Sequence, residues 1–187
     1  MHTEAIVFLT KEPIPQKVKT RLASTIGYEK ATEIHRILAL HSIRIALSTQ
    51  IPVIVLLQGD CRSDFAQEIE FLGASIFAQK EGTLGEKIFS CFSYAHKVAV
   101  LGTDCPNIQP KELKTALAQR SISIGPAVDG GYWLIAGSNP PREIFKNIPW
   151  STDQVLQKTL AQLECLHLEC QQLSMQSDID TFTDLQD

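Results

Sequence analysis

Short apolar runs along this chain alternate with longer stretches in which apolar positions recur every three or four residues. The first run, AIVFLT (residues 5–10), is followed over residues 28–48 by Ala31, Ile34, Leu38, His41 and Ile45 on one face, a helical spacing. VIVLL (residues 53–57) is rich in Val, Ile and Leu and does not alternate, as expected of a strand covered on both faces. CRSDFAQEIEFLG then reads as a helix stopped by Gly73, ASIFAQ as a strand, TLGEKIFSCFSYAH as a helix, and VAVLG as a further strand. Strands and helices taking turns in this way predict a parallel sheet sandwiched between helices.

Beyond Asp104 the rhythm loosens. Pro110 opens a helix, SISIGPA and YWLIAG read as strands on either side of Gly130 and Gly131, and NPPRE reads as a loop. Ser151 to Gln154 has the form of a capping box for a helix reaching about Leu163, and Thr181 to Asp184 a similar cap for a short last helix. With no repeat and no low-complexity linker, residues 1–187 are expected to form a single domain.

Composition narrows the function classes. A net charge of -4 spread over 187 residues lacks the basic footprint of a nucleic-acid binder. The longest apolar stretch, IPVIVLL, falls far short of the roughly 20 residues of a membrane span, and the first residues lead directly into an apolar strand, so a soluble cytoplasmic protein is expected. Five cysteines, odd in number and without a C-x-x-C, favour reduced thiols over a disulfide framework or a zinc knuckle. One segment departs from the acidic average: TKEPIPQKVKTR sets Lys11, Lys17, Lys19 and Arg21 against Glu12 alone.

In open α/β sheets ligands bind beyond the carboxyl ends of the strands. Three polar segments are expected there: TKEPIPQKVKTRL after the first strand, GTDCP (residues 102–106) after the fourth, and SDIDTFTDL (residues 177–185). Asp104 either begins a turn or is held by its strand for chemistry. The basic residues upstream favour the second reading, because Arg offers a bidentate fork and Lys a point charge to a polyphosphate. A hard cation held by one or two carboxylates and substrate phosphates would complete such a site. In the last segment Asp180 either contributes to it or, like Asp178, only caps and solvates the last helix, and Asp129, Gly130 and Gly131 form either a plain hairpin turn or one that a ligand approaches closely. One of Tyr132 and Trp133 should face the cleft and the other the core. Trp150 reads as a hydrophobic staple before Ser151 or as a surface for stacking substrate. The five histidines are scattered away from these segments, with His35 and His41 read as structural.

Six segments together, FLTKEPIPQKVKTRL, GTLGEK, GTDCP, GPAVDGGYWLI, PWST and DIDT, resemble an uncharacterised bacterial branch of the nucleotide-diphospho-sugar transferase superfamily, the DUF2064 type, with the glycosyltransferase-A fold. The resemblance implies a Rossmann-like three-layer α/β/α sandwich around a mostly parallel mixed sheet with one antiparallel strand. It implies a nucleotide or nucleotide-sugar over the first loop, a small-molecule acceptor, and Mg2+ or Mn2+ on Asp104 and Asp180. Lys19 and Arg21 would then act with Asp104 in catalysis, with Lys11, Lys17, Asp129, Gly130 and Gly131 binding substrate. Cys105 is expected to be a packing residue. A homodimer is compatible with this reading. Gln16 departs from the family's usual glycine after Pro15. The activity expected is metal-dependent nucleotidyl transfer to a small phosphorylated acceptor, with glycosyl transfer and a non-catalytic nucleotide-binding module as alternatives.

Overall fold

The computed structural model describes residues 2–186. Seven strands form one sheet in the order β3-β2-β1-β4-β6-β5-β7. They are β1 (His2–Lys11), β2 (Val53–Gln58), β3 (Ser75–Ala78), β4 (Ala95–Leu101), β5 (Ile122–Pro126), β6 (Tyr132–Gly137) and β7 (Cys170–Gln172). Only β6 runs against its neighbours, antiparallel to both β4 and β5, while the other pairings are parallel. This is the mixed, mostly parallel α/β sheet that the resemblance implied.

The helices are α1 (Thr20–Ile26), α2 (Tyr28–Leu47), α3 (Asp64–Leu72), α4 (Leu84–Cys91), α5 (Pro110–Ala118) and α6 (Val155–Cys165). Successive residues of a strand point to opposite faces, and the core divides accordingly. Ile6, Phe8, Val55 and Leu57 pack with α2, α3 and α5. Ala5, Val7, Ile54 and Leu56 pack on the other face with α4 and α6. The strands that read as unbroken apolar runs are therefore those covered by helices on both sides.

Several local readings change. The buried residues of α2 are Ala31, His35, Leu38, Ala39, Leu40, Ser42, Ile43 and Ala46, while His41 is exposed and Ile45 lies at the margin. The helix read over residues 83–96 ends at Cys91, and Ala95 and His96 already belong to β4. Ser151 does not cap α6: it adopts φ 65 in the left-handed region, and the helix starts at Val155 after Gln154, which makes no side-chain cap. Residues 142–145 of the NPPRE stretch and beyond form a 3-10 turn, and so do residues 183–185 at the end of the chain. Thr181 and Asp184 do interact, with the Asp184 carboxylate accepting from the backbone N–H groups of Asp180 and Thr181.

Strands β1, β2 and β3 grow outward on one side, and the chain then returns to lay β4 on the other side of β1. The loops after β1 and β4 consequently diverge at a topological switch point, where open α/β sheets form their ligand crevice. The β5–β6 turn reaches the same edge because β6 runs backwards. Gly130 alone of its two glycines needs the left-handed region, at φ 85, and a Cβ there would lie 2.2 Å from the Asp153 carbonyl oxygen. The close approach thus comes from the chain leading into α6, which also donates from the Leu156 N–H to the Gly130 carbonyl. Gly130→Ala should destabilise the protein by about 2–3 kcal/mol through backbone strain and displacement of this contact. Urea unfolding would check it, and a variant as stable as the parent would contradict this reading of the turn.

Candidate functional site

The switch point opens into a cleft of about 410 Å³. Leu9 at the end of β1, Gly102, Asp104 and Cys105 after β4, Leu84 of α4, Asp129 and Gly131 of the β5–β6 turn, Trp150, and Asp178 line it. Two buried hydroxyls, Thr10 of β1 and Thr103 just after β4, meet at 3.0 Å.

Lys19 organises the loops around the cleft. It sits in the left-handed region at φ 47 as the residue before α1, with its side chain 4% exposed, and its Nζ lies 2.6 Å from Asp104 Oδ1. The same ammonium donates to the Ile179 carbonyl at 2.5 Å, and the Ile179 N–H donates to the Asp104 carbonyl at 3.0 Å. The loop after β1, the loop after β4 and the C-terminal segment are thereby joined through one buried cation. Gln16, where a glycine was expected, adopts φ 70, a conformation glycine takes freely and other residues take at a cost.

Helix α2 supports both loops from beneath. His35 Nε2–H donates to the Lys11 carbonyl and His41 Nε2–H to the Pro106 carbonyl, each at 3.0 Å. The fold thus brings both histidines to motifs from which they are distant in sequence. His35 Nδ1 also lies 3.9 Å from Asp104 Oδ1. Burial pushes the His35 pKa down, and this outweighs the opposing effects of the Lys11 carbonyl and Asp104. The imidazole is neutral near pH 7.

The candidate residues separate into two groups. Asp104 and Asp129 line the cleft together with Asp178, whereas Asp180 pairs with exposed Arg21 at 2.9 Å and is not among the lining residues. Gly131 lines it too, but Gly130 faces Asp153. Lys11, at the end of β1, and Lys17, on the loop after it, are exposed outside it. Asp178, which sequence alone left as a capping candidate, has its pKa raised by burial first, then by the Asp129 and Asp104 charges. Asp129 Oδ1 accepts from the Gly131 N–H at 2.8 Å, fixing the turn. Cys105 is buried, and burial with nearby Asp178 and Asp104 pushes its thiol up to about 12, consistent with packing.

Trp133 enters the core and donates to the Ser174 carbonyl at 3.1 Å, while Tyr132 meets Trp150 edge to face with centroids 6.3 Å apart. Trp150 is therefore part of the cleft wall, and without a Ser151 cap it is no staple. Glycine at position 85 makes room for it, since a Cβ would lie 3.0 Å from its ring.

Residues 40–152 match the family model of uncharacterized proteins conserved in bacteria, DUF2064. The chain belongs to this family. No curated protein matches the DUF2064 chain. Its fold is similar to that of a protein from Desulfovibrio desulfuricans G20 provisionally named a nucleotide-diphospho-sugar transferase, with TM-score 0.89 and 27% identity over 99% of this chain and 85% of that one. A CMP:2-keto-3-deoxy-manno-octonic acid synthetase complexed with CTP gives TM-score 0.62 at 12% identity, covering 98% of this chain and 95% of that one. A Mycobacterium tuberculosis H37Rv protein, Rv0371C, in complex with manganese gives 0.57 at 14%, covering 98% and 96%. The fold is that of the nucleotide-diphospho-sugar transferases, and no helix among the described residues is long and apolar enough to cross a membrane.

The raised pKa of Asp178 fixes the sign of a stability effect. A carboxyl whose folded pKa exceeds its unfolded value contributes stability below the unfolded value, and this is lost as pH rises through the folded one. At neutral pH the charged Asp178 therefore weakens the ligand-free fold. Asp178→Asn should raise the Tm by on the order of a degree or two at pH 7 in chelator, and the gain should vanish below about pH 3.5. Scanning calorimetry across pH would show this, and a Tm lowered at pH 7 would contradict the repulsion.

Proposed function

We propose that this DUF2064 protein is a divalent-metal-dependent transferase acting on a nucleoside triphosphate or nucleotide-sugar, with nucleotidyl transfer preferred. The observation that carries the reading is the convergence of Asp104, Asp129 and Asp178 on one cleft at the sheet's switch point, in a chain with the nucleotide-diphospho-sugar transferase fold. Manganese in one protein of this fold and CTP in another support it.

The donor set fits a hard cation. Carboxylate oxygens suit Mg2+ or Mn2+, and the burial and neighbouring charges that raise the Asp178 pKa impose a cost of the kind that a cation relieves. Among the described residues no three acidic, histidine or cysteine side chains form a ready-made cage. Mg2+ is commonly held by one or two carboxylates plus substrate phosphates. Asp104 and Asp178 are the residues proposed to hold it, with Asp180 assigned to the pair with Arg21 that anchors the C-terminal segment. When bound, the ion would neutralise charge on the phosphates and on the leaving pyrophosphate.

In nucleotidyl transfer an acceptor oxygen attacks the α-phosphorus, the bond to the bridging oxygen of the β-phosphate breaks, and the acceptor proton passes to solvent or a cleft carboxylate. Asp129 is the cleft carboxylate proposed to take that proton, Asp178 being proposed to hold the ion. Lys19 keeps the loops that carry Asp104 and Asp178 in register through its contacts with Asp104 and the Ile179 carbonyl. Arg21 and the exposed Lys11 and Lys17 form the basic approach to the first loop.

Thermal shift of the full chain with each common nucleoside triphosphate, with and without Mg2+ or Mn2+, tests this. One nucleotide should stabilise the protein selectively, and pyrophosphate should be released once an acceptor is supplied. Asp104→Asn should lower the metal-dependent part of the affinity about tenfold or more, while Arg21→Ala weakens binding in metal and in chelator alike. Equal nucleotide affinity for Asp104→Asn and the parent in Mg2+ would refute the metal site.

A further inference from the structure

We infer that the second substrate of this cleft is an uncharged, hydroxyl-rich ring with an apolar face, and not the phosphorylated acceptor that the sequence suggested. The inference rests on the transferase reading above and names the class of its acceptor.

Every charged side chain lining the cleft is acidic: Asp104, Asp129 and Asp178. Among the described residues no Lys, Arg or His lines it. The nearest ammonium, Lys19, is 4% exposed and committed to Asp104 and the Ile179 carbonyl. Arg21 is held by Asp180. The cation proposed above would be shared with the nucleotide phosphates. A second phosphate in the part of the cleft near Asp129 would meet carboxylates with no cationic side chain to offset their repulsion, and at a few Å in a partly desolvated site that repulsion is substantial.

The same part of the cleft is well suited to a neutral ring. Tyr132 and Trp150, locked edge to face, form one wall, and Leu84, 43% exposed, adds apolar surface at the α4 side. Asp129 Oδ1 is taken by the Gly131 N–H, and Oδ2 has no hydrogen-bond partner among the described residues. A carboxylate oxygen of this kind accepts from hydroxyls, while the aromatic wall covers C–H faces. A few oriented polar groups in a mainly apolar pocket are how small-molecule sites select their ligands.

Saturation-transfer NMR on the full chain, with myo-inositol and methyl glucoside as neutral probes and inositol 1-phosphate and glucose 1-phosphate as charged ones, tests this. The titrations would be run with and without Mg2+ and the α,β-methylene analogues of the four ribonucleoside triphosphates. At least one neutral ring should bind about tenfold more tightly than its phosphate ester. Asp129→Asn keeps an oxygen for the Gly131 N–H and should narrow that preference, and Asp129→Lys should abolish or invert it. A phosphate ester that binds the parent as tightly as its neutral partner, or the failure of every neutral ring to bind, would overturn the inference. Thermal shift on the same samples separates the two proposals. If no nucleotide stabilises the protein while a neutral ring binds, the transferase reading falls and the ligand class stands. If a nucleotide binds and no neutral ring does, the reverse holds.

Discussion

A buried ammonium must be neutralised where it sits, and the Lys19 side chain meets that demand by joining three loops that are remote in sequence. Its partner Asp104 stays 42% exposed on the cleft side, so the pair is anchored from within and open from without. Removing the carboxylate would leave an uncompensated charge under the first loop, a change that in buried pairs costs about 3–5 kcal/mol, less here because one partner is solvated. The position of the C-terminal segment, and with it Asp178, depends on this junction.

The sheet and the junction serve each other. Placing β4 beside β1 brings the GTDCP loop within reach of Lys19, and reversing β6 carries Asp129 to the same edge. Burial first, and then the charges of Asp129 and Asp104, raise the Asp178 pKa, so the ligand-free cleft holds this carboxylate at an electrostatic cost. Binding sites commonly carry such a cost because the ligand relieves it. Helix α2 steadies the arrangement from below through His35 and His41.

How legible each feature was in the sequence follows from the forces that set it. Strands β1, β2 and β4 declare themselves because helices cover both faces and their central runs, residues 5–9, 53–57 and 98–101, are unbroken apolar stretches. Helix α1 gives no such sign: it begins beside a left-handed Lys19 without a side-chain cap, inside a basic loop. Strand β7 reads Cys170, Gln171, Gln172 and lies at the sheet edge, where pairing to β5 imposes little pattern. The S-x-x-Q signature misled because left-handed Ser151 shapes a turn before the helix begins. Asp104 was marked by the strand that delivers it. Whether Asp178 or Asp180 faced the cleft could not be read from DID, because that depends on contacts to Lys19 and Arg21 from the other end of the chain. The part played by His35 was hidden for the same reason, since its partners lie 24 and 69 residues away.

The most direct measurement is the location of a paramagnetic ion. With Mn2+ added in trace amount to the isotopically labelled protein and a bound nucleoside triphosphate, amide resonances of residues 102–106, 129–131 and 177–179 should broaden first, and chelator should restore them. Broadening centred on exposed acidic residues elsewhere, or loss of none of these signals while nucleotide is bound, would contradict a metal-dependent site at the Lys19–Asp104 junction.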